Sequence, residues 1–130
     1  MEIQEYSARI SVFRGQLFAL LSADPLTVRE ILDMRPPRFD VEGVYVISTP
    51  DDGEIVYVGK TRTKSVIGRV SDHRDTDTKS DLKGMLRLFP DYPQEVNNYL
   101  VRCINISDAR KRTFFEHFSI GVLSPPFNKE

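Results

Sequence analysis

Two short apolar segments, Gly43-Val44-Tyr45-Val46-Ile47 and Val56-Tyr57-Val58-Gly59-Lys60, restrict this chain more than anything else in it. Both are rich in β-branched and aromatic residues, which suit a pleated, half-buried surface better than a helix. Between them stands Thr49-Pro50-Asp51-Asp52-Gly53, with proline early and glycine at its end, the chemistry of a hairpin loop. Residues 41–48 and 54–59 are therefore expected to pair as adjacent strands. Side chains alternate faces along a strand, so Tyr45 shares a face with Gly43 and Ile47, and Tyr57 shares one with Ile55 and Gly59. A glycine beside each tyrosine is expected to leave open space there. Taken alone, the two tyrosines read as a cross-strand aromatic pair that simply packs.

The rest of the chain is read from periodicity. In residues 3–22, Ile3, Tyr6, Ile10, Phe13, Leu17, Leu20 and Leu21 recur at helical spacing, which predicts an amphipathic helix. Thr27, three residues before Glu30, opens a second helix with a capping box, and Pro36-Pro37 closes it. Residues 1–38 are thus expected to be a helical segment packed on a core formed by residues 39–130. Helices are expected over 65–75, with Val66, Ile67 and Val70 on one face, and over 80–89. Residues 98–106 read as a third strand. Ser107-Asp108 caps a last helix running to about Gly121, with Phe114, Phe115, Phe118 and Val122 as its expected core face. The expected fold is α+β, a small three-stranded β-sheet flanked by helices.

Arg69 and His73 stand four apart in the 65–75 helix, one above the other at the edge of its apolar face. An arginine there can fork onto phosphate oxygens, and a histidine there can move a proton near neutral pH. Two phenols, Lys60, a guanidinium and an imidazole within thirty residues suit the handling of a phosphodiester.

Charge is distributed unevenly behind a net value of −1. Residues 1–59 carry 5 Lys/Arg and 10 Asp/Glu, whereas residues 60–112 carry 12 and 7. A basic surface beside a chemical site suits a polyanion. On charge alone, Lys60, Lys64, Lys79, Lys83 and Arg87 read as solvated helix faces, because a pI near 6.1 is not that of an ordinary nucleic-acid binder. At 130 residues one domain is expected. No apolar run is long enough to span a membrane, and charged residues interrupt the first twenty, which do not read as a signal peptide. The single Cys103 admits no intrachain disulfide and reads as a small buried apolar side chain, which favours a reducing, cytoplasmic setting.

The tripeptides Gly43-Val44-Tyr45 and Tyr57-Val58-Gly59, followed by Arg69 and His73, resemble the GIY-YIG nucleases, with valine for isoleucine in both tripeptides. The resemblance covers roughly residues 42–128 and adds Glu116 and Asn128, which match the glutamate and the late asparagine of that family. It implies a metal-dependent DNA endonuclease. Glu116 would bind one Mg²⁺ or Mn²⁺, Arg69 would neutralise charge on the phosphoryl group, and Tyr45 would position or deprotonate the attacking water. Lys60 would lower the pKa of Tyr45, Tyr57 would hydrogen-bond a phosphate or water, His73 would take the proton from Tyr45, and Asn128 would support the site. The loop after the second strand, with Arg62 and Lys64, would join Lys60 in holding substrate. The products would be a 5′-phosphate and a 3′-hydroxyl. The Arg69/His73 pair and the late asparagine, Asn128, look more like the homing and restriction branches than the excision-repair branch. Many members carry a separate DNA-binding domain, for which this chain has no room, so recognition would come from a homodimer, a partner subunit or its loops. His117 reads as a partly buried structural histidine, because neighbours on a helix point about 100° apart and cannot easily share a metal with Glu116. The competing readings are a non-catalytic nucleic-acid-binding module on the same fold and a small protein-interaction domain.

Overall fold

The structure, a computed structural model, describes residues 2–128 of the chain. The tyrosine hairpin forms as its turn chemistry requires. Strands β2 (Gly43–Ser48) and β3 (Ile55–Lys60) pair antiparallel, placing Tyr45 opposite Gly59 and Ile47 opposite Tyr57. Gly53 takes a positive φ of 74°, which a glycine adopts without strain. Strand β4 (Leu100–Asn105) pairs antiparallel with the other side of β2, setting Cys103 opposite Tyr45.

The sheet has four strands where the sequence reading expected three. A two-residue strand, β1 (Leu26–Thr27), adds to the outer edge of β4, giving the order β1-β4-β2-β3. Thr27 ends this strand and also caps helix α2 (Val28–Asp33). Its hydroxyl accepts the Glu30 amide and the Glu30 carboxylate accepts the Thr27 amide, the expected capping box. Two residues carry no alternation, so β1 leaves no pattern to read.

Helices cover both faces of the sheet, and all six residues of β2 are buried. On one face, Tyr45 and Ile47 pack with α2, with α3 (Val66–Asp75) through Val66 and Val70, and with α4 (Leu82–Leu86). On the other, Val44, Val46 and Val58 pack with Leu17 and Leu20 of α1 (Ile3–Ser22) and Phe115 of α5 (Ala109–Leu123). Burial of each such side chain contributes about 1.5–3 kcal/mol.

Three helices differ from expectation. Helix α4 is shorter than 80–89, because Phe89 leaves the helix axis to stack on Phe127 at 4.4 Å and Pro90 disfavours helical backbone before it. The α5 core face is not the phenylalanine set: Phe114 and Val122 are exposed, while Arg112 and Ser119, one turn either side of Phe115, are buried. The Arg112 guanidinium donates to the carbonyls of Ile106 and Ser107 and pairs with Glu42 at 3.1 Å, which makes its burial tolerable. Helix α1 meets the core only through its last turns, and Ile3, Tyr6 and Ile10 of its apolar stripe are exposed. Among the described residues, no helix is long and apolar enough to cross a membrane.

Candidate active site

A cleft of about 450 Å³ opens where β3, the loop after it, α3 and α5 meet. Tyr57 and Lys60 enter it from β3, Arg62 and Lys64 from the loop, Arg69 and Asp72 from α3, and Glu116 from α5. Six residues that the sequence nominated separately thus share one concavity.

Tyr45 and His73 lie behind this lining, both fully buried. The Tyr45 and Tyr57 rings stand 6.2 Å apart, and His73 meets both edge-on at 5.7 and 5.3 Å. Gly59 permits this arrangement: a Cβ there would sit 2.5 Å from the Tyr45 hydroxyl and 2.8 Å from the Tyr57 ring. The space beside Gly43 serves a different purpose from the one expected, because the Ile104 carbonyl of β4 fills it.

His73, expected at the edge of the apolar face of α3, is fully buried and held at both ring nitrogens. Its Nδ1 accepts the backbone N–H of Leu82 at 2.8 Å, and its Nε2 lies 2.8 Å from Tyr45 Oη. A backbone amide can only donate, so the proton of the neutral ring sits on Nε2 and is donated to the Tyr45 oxygen. Burial, reinforced by the Arg69 charge, lowers the His73 pKa to about 3, which keeps the ring neutral.

Burial raises the pKa of Tyr45, with Tyr57 adding to the rise and Arg69 opposing it. Tyr57 is raised by burial and likewise opposed by Arg69. The cation acting on Tyr45 is therefore Arg69, not the expected Lys60. Lys60 Nζ instead donates to Thr113 Oγ1 at 2.7 Å, and its charge falls on Glu116. Arg69 is held by two carboxylates, Asp72 at 2.9 Å and Asp81 at 3.2 Å. Neither acid was singled out from the sequence, although Asp72 stands three residues after Arg69, at ion-pair spacing.

Glu116 is more enclosed than a solvated helix charge, with its side chain 15% exposed. Burial raises its pKa, against the pull of Lys60, His117 and Arg62. His117 is not partly buried: its side chain is 69% exposed, with Nε2 3.9 Å from the Glu116 carboxylate. Asn128 holds the outer edge of β3, where its Oδ1 accepts the Val58 amide at 2.7 Å and its Nδ2 donates to the Val58 carbonyl at 2.8 Å. Cys103 is half-buried, and burial raises its thiol pKa to about 11.

Among the described residues, no three His, Cys, Asp or Glu side chains cluster as a ready metal cage. One carboxylate opening onto a cleft nevertheless fits Mg²⁺ or Mn²⁺, which retain several waters and accept oxygen from substrate. It does not fit a structural zinc, which needs four protein ligands.

No family model and no curated protein matches the chain. Solved structures do. The magnesium-bound GIY-YIG N-terminal endonuclease domain of UvrC from Thermotoga maritima superposes with a TM-score of 0.53 at 19% identity, over 78% of this chain and 96% of that one. An asparagine point mutant of the same domain, bound to its catalytic divalent cation, gives 0.54 at 18% identity over 79% and 96%. A tyrosine point mutant gives 0.54 at 19% over the same shares. The paired tyrosine strands and the helices that close on them thus sit in a shared architecture, and the chain has a GIY-YIG-like fold.

Proposed function

We propose that this protein is a divalent-metal-dependent DNA endonuclease that hydrolyses phosphodiester bonds in the cleft beside β3. The observation that carries this reading is the convergence of Tyr57, Arg69 and Glu116 on one cleft, with Tyr45 and His73 directly behind it. Lys60, Arg62 and Lys64 supply a cationic rim for the DNA backbone. Arg69 forks onto the scissile phosphate and neutralises charge as it develops. Tyr57, the phenol at the cleft, hydrogen-bonds a phosphate oxygen or the attacking water. Glu116 would hold the cation, which when bound would supply Lewis-acid polarisation of the phosphate.

As its phenolate, Tyr45 acts as the base toward water. His73 serves it as a hydrogen-bond donor, because Nδ1 is occupied by the Leu82 amide and Nε2 already carries a proton. The Nε2–H and the Arg69 charge both favour the phenolate, against a burial that disfavours it. Asn128 holds β3, and so Tyr57, in place. Water oxygen bonds to phosphorus as its proton passes to the Tyr45 phenolate, the bond to the 3′ oxygen breaks, and that oxygen takes up a proton from solvent at the open cleft, leaving a 5′-phosphate and a 3′-hydroxyl. A homodimer or partner subunit supplies a second site for cutting both strands, and a lone thiol suits the cytoplasm.

The test is cleavage of supercoiled plasmid and of branched and single-stranded DNA in Mg²⁺, Mn²⁺ or EDTA, by wild type and Glu116→Ala. Metal-dependent cutting that disappears in the variant supports the reading. Salt-sensitive DNA binding by folded wild type without any cutting selects a binding module instead.

A further inference from the structure

Asp72 lines the cleft and pairs there with two of its cations, Lys64 and Arg69. Its Oδ1 and Oδ2 accept from Lys64 Nζ at 2.9 and 2.7 Å, and Oδ2 also accepts from Arg69 Nη1 at 2.9 Å. One carboxylate therefore occupies two of the cations that the proposed function assigns to the DNA backbone. Its two oxygens can offer these donors the same kind of bidentate contact as two non-bridging oxygens of a phosphodiester.

The second acid on Arg69 differs in kind. Asp81 is nearly buried, its Oδ2 accepts the Thr78 hydroxyl at 2.7 Å, and its Oδ1 takes the other guanidinium nitrogen at 3.2 Å. Asp81 is thus fixed from behind. Asp72 is the more open of the two, at 22% side-chain exposure against 6%, and lines the cleft itself. Of the two partners, Asp72 is the one that an incoming anion can displace without dismantling buried structure.

We propose that Asp72 is an internal stand-in for the substrate phosphate, holding Lys64 and Arg69 in the cleft until a backbone phosphate displaces it. It rests on the reading of the cleft as a phosphodiester site. The cations are then pre-positioned at rest and Arg69 stays aligned by Asp81 after the exchange. Anions that cannot engage both cations together do not complete the exchange, so Asp72 acts as a positioning residue that raises the threshold for binding.

The test compares wild type, Asp72→Asn and Asp75→Asn. Asp75 is a control on the same helix, paired with Arg74 at 2.9 Å outside the cleft. Binding of fluorescein-labelled duplex and branched DNA is measured by anisotropy in EDTA, and cleavage in Mg²⁺. Asp72→Asn should bind about five- to tenfold more tightly, with KM lowered and kcat not raised, while Asp75→Asn stays within about twofold of wild type. Unchanged or weaker binding by a folded Asp72→Asn, or equal tightening by both variants, overturns the proposal. If Asp72→Asn does not fold, Asp72→Ser is read against the same expectations. Cleavage by wild type with no tightening in the variant condemns the stand-in alone. No binding or cleavage by any folded protein overturns the phosphodiester reading and this proposal with it.

Discussion

Tyr45 Oη and His73 Nε2 lie 2.8 Å apart with both rings buried, and the Leu82 amide fixes the direction of the hydrogen bond from the far side of the imidazole. The histidine donates and the Tyr45 oxygen accepts, so the histidine is not the acceptor of the phenol's proton. An imidazole so held has no lone pair left with which to accept a proton. If it supports catalysis as a donor, a side chain that can donate but cannot take up a proton should partly replace it. His73→Gln, whose amide can donate to the phenol, is expected to retain at least tenfold more cleavage than His73→Ala. His73→Ala should fall by about 10²-fold or more, the scale of one lost proton-transfer or charge-stabilising partner. Steady-state rates on a single-site substrate check this, and equal loss in both variants would restore the proton-accepting role.

The same histidine makes stability depend on pH. Its folded pKa is about 3, against an ordinary value of 6.5, so below pH 6.5 the unfolded chain binds a proton that the folded chain does not. Stability from this group is fully present above pH 6.5 and is lost as pH falls toward 3. The slope approaches about 1.4 kcal/mol per pH unit at its steepest. Urea midpoints from pH 7.5 to 4.5 should fall more steeply for wild type than for a folded His73→Phe. Parallel curves would show that His73 titrates normally.

The hairpin was legible because its turn, its β-branched strands and its tyrosine placement all point the same way. The nearness of Tyr57, Arg69 and Glu116 was legible only through the family resemblance, since nothing local in α5 marks Glu116. The α5 core face was misread because Phe114 and Phe115 stand about 100° apart and cannot both face the sheet. Arg112 takes one of the inward positions through hydrogen bonds to the Ile106 and Ser107 carbonyls just before the helix and to the distant Glu42, which hydropathy cannot reveal. His117 was misread for a related reason: histidine sits on either side of the burial divide, and only packing decides. Asp81 was not nominated because its bond to Arg69 spans twelve residues and depends on how α3 and α4 meet.

Gly59 and Gly43 should respond differently to the same added methyl. Gly59→Ala presses on two side chains, Tyr45 and Tyr57, which can shift at an overpacking cost of about 1–3 kcal/mol. The shift moves both phenols, so cleavage should fall further than stability alone explains. Gly43→Ala presses on the Ile104 backbone carbonyl inside the β2–β4 ladder, where nothing can rotate away. Its thermal midpoint should fall more than that of Gly59→Ala. The reverse order in calorimetry would mean that the phenols are the more rigid element.

Asn128 makes a prediction that separates support from chemistry. β3 is an edge strand, and the Asn128 amide satisfies both backbone groups of Val58 on the open side, as a neighbouring strand would. The Phe127 amide donates to the Val56 carbonyl beside it at 2.9 Å, so residues 127–128 close that edge together. Asn128→Ala removes two hydrogen bonds worth about 1 kcal/mol each, less what water restores at a half-buried edge, so a loss of about 1–2 kcal/mol is expected. Exchange of the Val58 amide should rise while that of Val46 in the central strand stays slow. If Asn128 acts only by holding β3, cleavage should fall with the disorder of Tyr57 and recover in part at lower temperature, where the edge re-forms. A variant with unchanged Val58 exchange but abolished cleavage would move Asn128 from the scaffold into contact with the substrate.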